Sequence, residues 1–272
     1  MSISENAFSA GNQQETYSDI GILRDYTPNV IEFSSELATL IALLFTDGGV
    51  SKHRLNSWRI FFANSSPAAI RLFTGSLVSV FGIPKDRVKI RMMLGRYYFA
   101  VLTSKETGKF LTDKFGTFRT LKFDNGSYPT ASIPIDLLVK TGTTRLFLKT
   151  AFSMDGCVKF YPVVNRAGRK WLERNVSLAC HHPVLRKQYH RLLELVGIES
   201  VNIESDKVIK IRKRENLERF AKEVGFINGI KTTRHSKFWI GVEKNKVLRI
   251  MLDSYDNSSK YLSLPRFKMA KI

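Results

Sequence analysis

Two apolar runs of the chain end in the same dipeptide, Asp-Gly. The first run is residues 40–48 (LIALLFTDG) and the second is residues 148–156 (LKTAFSMDG), so that Asp47 and Asp155 close the two runs. An apolar helix with a carboxylate at its C-terminal tip presents that group at a defined point, and two such helices packed together bring two carboxylates side by side. Paired carboxylates can hold divalent metal ions. The pattern therefore predicts two buried helices that meet at a pair of acids.

The charge balance of the chain points to a polyanionic partner. The 272 residues include 43 lysines and arginines against 24 acids, which gives a formal net charge of +19. A basic excess of this size favours contact with nucleic acid. A generic basic protein, such as one associated with the ribosome, is the alternative, and it also contacts nucleic acid. Hydrophobic residues make up 43% of the chain, which is enough to build a packed core.

Cysteine usage and hydropathy exclude several classes of protein. Only two cysteines occur, Cys157 and Cys180, without a CxxC motif, so neither a disulfide scaffold nor a four-ligand zinc site is expected. We expect an intracellular protein, cytoplasmic in a prokaryote or archaeon, with an organelle as the open alternative. The longest apolar stretch, residues 37–45, is too short to cross a bilayer, and no membrane partner is expected. Residues 1–29 are polar, lack the features of a secretory signal and are predicted to form a flexible tail.

The order of predicted elements after the first Asp-Gly is repeated after the second. In the first copy a strand at residues 58–63 leads to Asn64 and Pro67, and a helix with apolar positions every three or four residues ends at Gly82. In the second copy strands within 157–164 and 171–179 lead to Cys180 and Pro183, and the next helix ends at Gly197. The apolar helix positions are Ile70, Phe73, Leu77 and Phe81 in the first copy, and Leu185, Tyr189, Leu192 and Val196 in the second.

The repeat continues with a strand and a further helix in each copy. The strand at residues 88–91 is matched with residues 209–212, and the helix at residues 105–115 is matched with residues 214–224. Basic and aliphatic residues alternate in both strands, which places the lysine and arginine side chains on one face of a sheet. Such a face can read DNA in the major groove, and a solvated sheet surface is the alternative. The candidate DNA-binding residues are Arg59, Arg87, Lys89, Arg91, Lys210 and Arg212.

The repeat also sets the expected domain layout. We predict a first half at residues 30–123, a linker at 124–132 and a second half at 133–272. The second half is expected to end in a C-terminal hairpin, with strands at 237–242 and 247–252 and a turn at Lys244-Asn245.

Taken together, the two Asp-Gly runs and the repeated order resemble the single-chain LAGLIDADG homing endonucleases over roughly residues 33–232. Glu36-Leu37-Ala38 and Ile133-Pro134 are similar to the lead-ins of the two family motifs. The resemblance implies an α+β fold of two pseudo-symmetric αββαββα halves. Their antiparallel sheets would form a DNA-binding saddle, with the two motif helices packed at the centre. It also implies cleavage of both DNA strands, with one motif aspartate serving each strand.

The resemblance further implies the residues of the site. Asp47 and Asp155 would be the catalytic acids and would hold two or three Mg²⁺ ions, together with Gly48 and Gly156. Asn64 would position water, and Cys180 stands at the corresponding place in the second half, which is a departure from the family pattern. Lys231 and Arg119 would be the basic residues near the scissile phosphate, with plain phosphate contact as the alternative. Phe45 and Met154 also depart from the family motif, whereas small side chains suit close packing of the helices: Ala42, Thr46, Thr150 and Ser153.

Three other readings remain open from the sequence. A zinc or histidine-nuclease site could use Cys180, His181, His182 and His190, although helix capping or phosphate contact fits the two adjacent histidines better. The same fold could serve as an RNA-binding intron maturase or a non-cleaving DNA-binding regulator, and a purely structural basic protein is a weaker option. The preferred reading is an intron-encoded, monomeric endonuclease for a long, partly asymmetric site in double-stranded DNA, with intron RNA as a possible second partner.

Overall fold

Each half of the chain folds in the order helix, two strands, helix, two strands, helix. The computed structural model describes residues 31–54, 57–233, 236 and 238–262, so the tail predicted for residues 1–29 lies outside the described residues. The elements of the first half are α1 (Ser35–Phe45), β1 (Gly48–Arg54), β2 (Ser57–Asn64), α2 (Pro67–Phe81), β3 (Lys89–Met93), β4 (Tyr97–Thr103) and α3 (Lys105–Phe115).

The second half repeats this order and adds helices at both ends. Its elements are α4 (Ile135–Lys140), α5 (Thr144–Asp155), β5 (Gly156–Val164), β6 (Lys170–Ala179), α6 (Pro183–Leu195), β7 (Val201–Ile203), β8 (Val208–Ile211), α7 (Arg214–Glu223), α8 (Lys244–Asp253) and α9 (Ser258–Tyr261). The predicted α+β fold of two αββαββα halves is therefore confirmed. Among the described residues, no helix has both the length and the apolar character needed to cross a membrane.

The strands form two antiparallel four-stranded sheets, in the orders β1-β2-β4-β3 and β5-β6-β8-β7. These orders correct the predicted match between residues 88–91 and 209–212. β3 is an edge strand, whereas β8 lies beside the central β6, so β8 corresponds to β4 and β3 corresponds to β7. The sequence pairs β3 with β8 because both segments alternate basic and aliphatic residues. The elements predicted from the sequence do not include β4 or the three-residue β7.

The two helices that carry the Asp-Gly runs, α1 and α5, pack against each other. Every residue of α1 from Leu37 to Phe45 is buried, which is the pattern of a helix surrounded by protein on all sides. Ser34 caps α1, since its Oγ accepts a hydrogen bond from the Leu37 amide at 3.2 Å. In α5, Thr150 and Ser153 are buried and bond carbonyl oxygens one turn earlier.

The helices that follow the second strand of each half pack as predicted. The eight apolar positions expected to face the core are all buried. Gly82 and Gly197 adopt the left-handed conformation, with φ of +61° and +75°, where glycine is favoured because it has no Cβ.

The predicted C-terminal hairpin is wrong. Residues 244–253 form the helix α8, which packs on β5 and α7. Its buried residues, Lys244, Val247, Leu248 and Met251, follow helical spacing. Lys237 of the predicted hairpin lies outside the described residues. The apolar spacing fits a helix better than strand alternation, and the lysine at the first of these positions concealed the pattern.

Candidate active site and nucleic-acid interface

Asp47 follows Thr46, the C-cap residue of α1, and is held by groups from two elements. The side-chain hydroxyl of Thr46 donates to the Ala42 and Leu43 carbonyl oxygens, both at 3.0 Å, and ends the helix. The Asp47 carbonyl oxygen accepts a hydrogen bond from the Ala63 amide at 3.0 Å, which joins the helix end to β2. These bonds fix the position of the carboxylate relative to the first sheet.

Asn64, the last residue of β2, orients the Asp47 carboxylate. Its Nδ2 donates to Asp47 Oδ2 at 2.7 Å and contacts Met154 Sδ at 3.8 Å. Its Oδ1 accepts from the Ser66 amide at 2.8 Å, so the amide is held at both ends. Since Met154 belongs to α5, this contact also brings the two halves together at the candidate site. Burial raises the pKa of the Asp47 carboxyl, while the Asn64 hydrogen bond and the positive charge of Lys244 oppose the increase.

Asp155 is the last residue of α5 and lies in a more restrictive environment. Burial raises the pKa of its carboxyl from 3.8 to about 7, and the negative charge of Asp47 adds to the increase. The positive charge of Lys244 opposes it. Asp47 is therefore close enough to Asp155 to affect the ionisation of its carboxyl.

Lys244, at the start of α8, was not predicted as part of the site. Its side chain is buried, and its Nζ donates to the carbonyl oxygens of Ser153 at 2.6 Å, Gly156 at 2.6 Å and Met154 at 3.4 Å. Burial lowers the pKa of the ammonium from 10.5 to about 8, and Cys157, Asp155 and Asp47 oppose the decrease. A single lysine on the apolar face of a helix was the sequence signal that could have identified it.

Cys180 occupies the place in the second half that Asn64 has in the first, because each lies at the end of a strand and three residues before the proline that begins the next helix. Its thiol donates weakly to the His182 carbonyl oxygen at 3.5 Å. Burial raises the pKa of the thiol to about 12, so the group stays neutral. The Cys180 thiol makes no hydrogen bond to Asp155, and the surroundings of the two aspartates therefore differ at this position.

Of the two histidines beside Cys180, His182 caps the next helix, as the capping interpretation predicts. His182 Nδ1 accepts from the Leu185 amide at 3.3 Å, and its Nε2 lies 2.8 Å from the Pro129 carbonyl oxygen. Across the described part of the chain, no group of three or more histidine, cysteine, aspartate or glutamate side chains could hold a metal ion. The zinc alternative therefore has no ligand set among these residues.

The glycine after each aspartate is required by close packing. A Cβ on Gly156 would lie 2.2 Å from the Phe152 carbonyl oxygen, and one on Gly48 would lie 2.9 Å from the oxygens of Leu43 and Phe61. Both were also predicted to help hold metal. The carbonyl oxygen of Gly156 already faces a cation, since it accepts a hydrogen bond from Lys244. In the antiparallel pair of β1 and β2, the Asp47 carbonyl oxygen bonds Ala63 of β2. The carbonyl of the next residue, Gly48, therefore points away from β2.

The two basic residues predicted near the scissile phosphate do not contact the acids. The Arg119 side chain is exposed, donates to the Leu121 and Lys122 carbonyl oxygens at 3.3 and 3.1 Å, and lies 4.8 Å from the centre of the Phe123 ring. Lys231 is also exposed, and its backbone pairs with Glu243. Neither side chain forms a hydrogen bond or ion pair with Asp47 or Asp155. Lys244 is the described basic residue that the fold places beside the acids.

Basic side chains of the first sheet share its open face. Ile60 and Phe62 of β2 point into the core, so the alternating residues Arg59 and Phe61 point outward. The register places Lys89 and Arg91 on this same face, because Lys89 pairs with Val101, which pairs with Phe61, and Arg91 is two residues further along β3. Phe61 stacks on Phe99 at 5.8 Å, which adds an aromatic surface between the charges. Arg59 bonds His53 at 2.7 Å.

The remaining basic candidates are less uniform. Lys210 lies on the open face of the second sheet, but it is held in an ion pair with Asp206 at 3.1 Å. Arg212 is exposed just after β8, and Arg87 is exposed in the 3-10 turn before β3. The aliphatic face of β3 is open to solvent, since Ile90 and Met92 are 47% and 57% exposed. β3 is the edge strand of its sheet, and α2 packs on β2 and β4.

Known proteins were compared with the chain in sequence and in structure. No family model and no curated protein matches it in sequence. A solved structure of variants of the homing endonuclease I-DmoI has 14% identity and a TM-score of 0.45, covering 70% of this chain and 88% of that one. The LAGLIDADG meganuclease I-AabMI, bound to uncleaved DNA, has 11% identity and a TM-score of 0.47, with coverage of 84% and 93%.

A third solved structure extends this set. The homing endonuclease I-WcaI, bound to its DNA recognition sequence, has 16% identity and a TM-score of 0.45, covering 73% of this chain and 85% of that one. The chain is thus similar in structure to LAGLIDADG homing endonucleases, at low sequence identity.

Proposed function

We propose that this protein is a site-specific endonuclease that cleaves both strands of duplex DNA in a divalent-metal-dependent reaction. The observation that carries the proposal is the meeting of Asp47 and Asp155 at the ends of two central helices, each at the start of the first strand of a sheet. The exposed basic side chains of the first sheet and the net charge of +19 support a nucleic-acid partner.

The residues around Asp47 fit a hard cation such as Mg²⁺. The ion prefers one or two carboxylates and fills its other positions with water and phosphate oxygens. When bound, it would supply an activated water and stabilise charge on the phosphate. The Asp47 carboxylate would hold the ion, and the Asn64 amide keeps that carboxylate in one orientation through the 2.7 Å hydrogen bond.

The two sheets would hold the duplex over this site. Arg59, Lys89 and Arg91 project from the open face of the first sheet, where they can reach phosphates or base edges in the major groove. Since the two halves differ in sequence, their contacts would differ, and the target site would be long and partly asymmetric. Both halves belong to one chain, so the active form would be a monomer.

The test begins with a pool of randomised DNA duplexes, because the target sequence is unknown. Duplexes retained by the protein are amplified, and the enriched sequences are incubated with the protein in Mg²⁺ or in EDTA. We expect double-strand cleavage in the reactions with Mg²⁺ and none in the reactions with EDTA. Asp47→Asn should lower the rate by about 10³-fold, since a metal contributes several kcal/mol to the transition state.

A matched control replaces an exposed aspartate. Asp124→Asn changes the same functional group at an exposed position in a loop and should cleave like the wild type. Enrichment of duplexes without any cleavage would support the non-cleaving DNA-binding alternative. Preference for an RNA pool over the DNA pool would support the maturase alternative. Full cleavage by Asp47→Asn would remove this residue from the reaction.

A further inference from the structure

We propose that Lys244 provides a fixed cation in place of a second divalent ion, so that the free protein binds one divalent ion, at Asp47. This inference rests on the proposed metal-dependent function and concerns how many ions the acid pair holds. We call Asp47, Asn64 and Thr46 the first pocket, and Asp155, Cys180 and Lys244 the second pocket. The family resemblance implied two or three ions, and the second pocket does not fit that number.

The geometry of Lys244 is that of a bound cation. An ammonium group has three N–H donors, and the Lys244 Nζ lies within hydrogen-bonding distance of three carbonyl oxygens, those of Ser153, Met154 and Gly156. Carbonyl oxygens at the C-terminal end of a helix have no partner within the helix and carry partial negative charge. They are therefore a natural site for a positive group. In the second pocket that site is filled by a side chain of the protein itself.

In the first pocket, the C-terminal end of α1 is capped without a cation. There the neutral hydroxyl of Thr46 donates to the carbonyl oxygens of Ala42 and Leu43. The Asp47 carboxylate receives one hydrogen bond, from the Asn64 amide, and keeps acceptor positions for a metal ion. The helix end of the second pocket is thus capped by an ammonium group, and that of the first pocket by a neutral hydroxyl.

Charge and ligand type both disfavour a second ion. Two ionised aspartates would carry a charge of −2, and the adjacent ammonium reduces this to −1. A divalent ion placed beside Asp155 would be repelled by the positive charge of Lys244, which already acts on that buried carboxyl. Cys180 would offer it only a neutral thiol, whereas Mg²⁺ and Mn²⁺ prefer oxygen ligands.

The experiment counts Mn²⁺ ions bound to the full chain without DNA. Free Mn²⁺ is measured by electron paramagnetic resonance during a titration, and the bound number is obtained by difference. We expect one ion per wild-type chain. Lys244→Met should raise the number to two, because it removes the charge while keeping the length of the side chain. Asp47→Asn should abolish binding to the wild-type site.

Two further variants keep the test independent of folding. Lys244→Gln retains amide donors for the carbonyl oxygens without the charge and should also bind two ions. Lys246→Met changes an exposed lysine on the same helix and should still bind one. Thermal melting shows which variants are folded.

The outcomes separate this inference from the proposed function. Two or more ions on the wild type, with similar affinity, would overturn it whether or not any variant folds. A count that stays at one in both folded neutral variants would also overturn it. No bound ion at all would overturn it together with metal dependence. If the wild type cleaves DNA and binds two ions, this inference fails and the proposed function stands. If the wild type binds one ion and cleaves no duplex, the metal site stands and the proposed function fails.

Discussion

The two halves of the molecule share the order and pairing of their elements but differ in what surrounds the central aspartate. In the first half the Asp47 carboxylate is oriented by the Asn64 amide, and a hydroxyl ends the helix. In the second half Asp155 lies beside a neutral thiol and a buried ammonium. A duplicated backbone therefore places two carboxylates together, while the side chains around each one have diverged.

Part of this divergence comes from an element that only one half has. α8 follows α7 in the second half and inserts Lys244 under the end of α5. In the first half, residues 116–134 follow α3 without a helix or strand, and Phe118 packs on Phe45 at a ring distance of 4.9 Å. A terminal extension can thus change the chemistry of one pocket without altering the repeated fold.

The largest expected difference between the halves concerns the glycines after the aspartates. Gly156→Ala should lower the free energy of unfolding by about 4 kcal/mol, because its Cβ would lie 2.2 Å from a backbone oxygen that cannot move easily. Gly48→Ala should cost about 2 kcal/mol, since its nearest backbone atoms lie at 2.9 Å. Chemical denaturation measures both. Gly75→Ala, in an exposed helical position with open space around it, should stabilise the fold slightly. Equal costs at the two motif glycines would contradict the expected asymmetry.

The residues at the strand ends give the next comparison. Asn64→Ala should weaken Mn²⁺ binding by about 10- to 100-fold, as expected when a residue that orients a metal ligand is removed. Cys180→Ala should change the affinity by less than about threefold, because the thiol makes no hydrogen bond to Asp155 and its own bond is weak. Both are measured by Mn²⁺ titration. Equal losses in the two variants would indicate that the second pocket also holds an ion.

The buried carboxyl of the second pocket predicts a pH dependence of stability. Its pKa is about 7 in the folded chain and 3.8 ordinarily, so the folded state binds more protons than the unfolded state between these values. The wild type should therefore lose stability as pH rises through this window, and Asp155→Asn should lose less, because only the carboxyl of Asp47, whose pKa burial also raises, is left to contribute. Between pH 5 and pH 6.5 the variant should gain about 2 kcal/mol relative to the wild type. Denaturation in metal-free buffer measures this gain. A gap that stays constant with pH would show that Asp155 ionises normally in the fold.

The smallest expected effects lie on the sheet faces. Lys89→Ala and Arg91→Ala should each flatten the salt dependence of DNA binding by about 0.9 in the log–log slope if the side chain neutralises a phosphate. Lys210→Ala should change the slope less, because Asp206 already pairs with that ammonium. Lys246→Ala serves as a control on another part of the surface. Unchanged affinity and slope after alanine replacement of all six basic candidates on or near the strands (Arg59, Arg87, Lys89, Arg91, Lys210 and Arg212) would place the DNA elsewhere.

Sequence patterns predicted the elements whose signals are local. The helices α2, α3, α6 and α7 have clear helical spacing, end signals or both, and the structure contains them with close to the expected bounds. β1 was not predicted, because it begins with two glycines and has few residues that favour strands. The C-terminal helix was mistaken for a hairpin, because its apolar face includes the charged Lys244.

The candidate site was predictable only where its residues belong to the repeat. Asp47, Asp155 and Asn64 follow from the motif and the position after it. Lys244 bonds carbonyl oxygens that lie 91 and 88 residues earlier in the chain, and no local pattern indicates such a contact. The packing of Arg119 against its own loop was equally hidden, since it depends on the conformation of residues 121–123.

The exposed edge strand β3 has a consequence for how the protein behaves without DNA. An open edge with apolar side chains can pair with the edge of another molecule and start aggregation. In β3 the exposed Ile90 and Met92 alternate with Lys89 and Arg91, and like charges on two approaching edges would repel each other. The residues proposed to hold the duplex would then also keep the free molecules apart. High salt, which screens these charges, should favour self-association at the same time as it weakens binding to DNA.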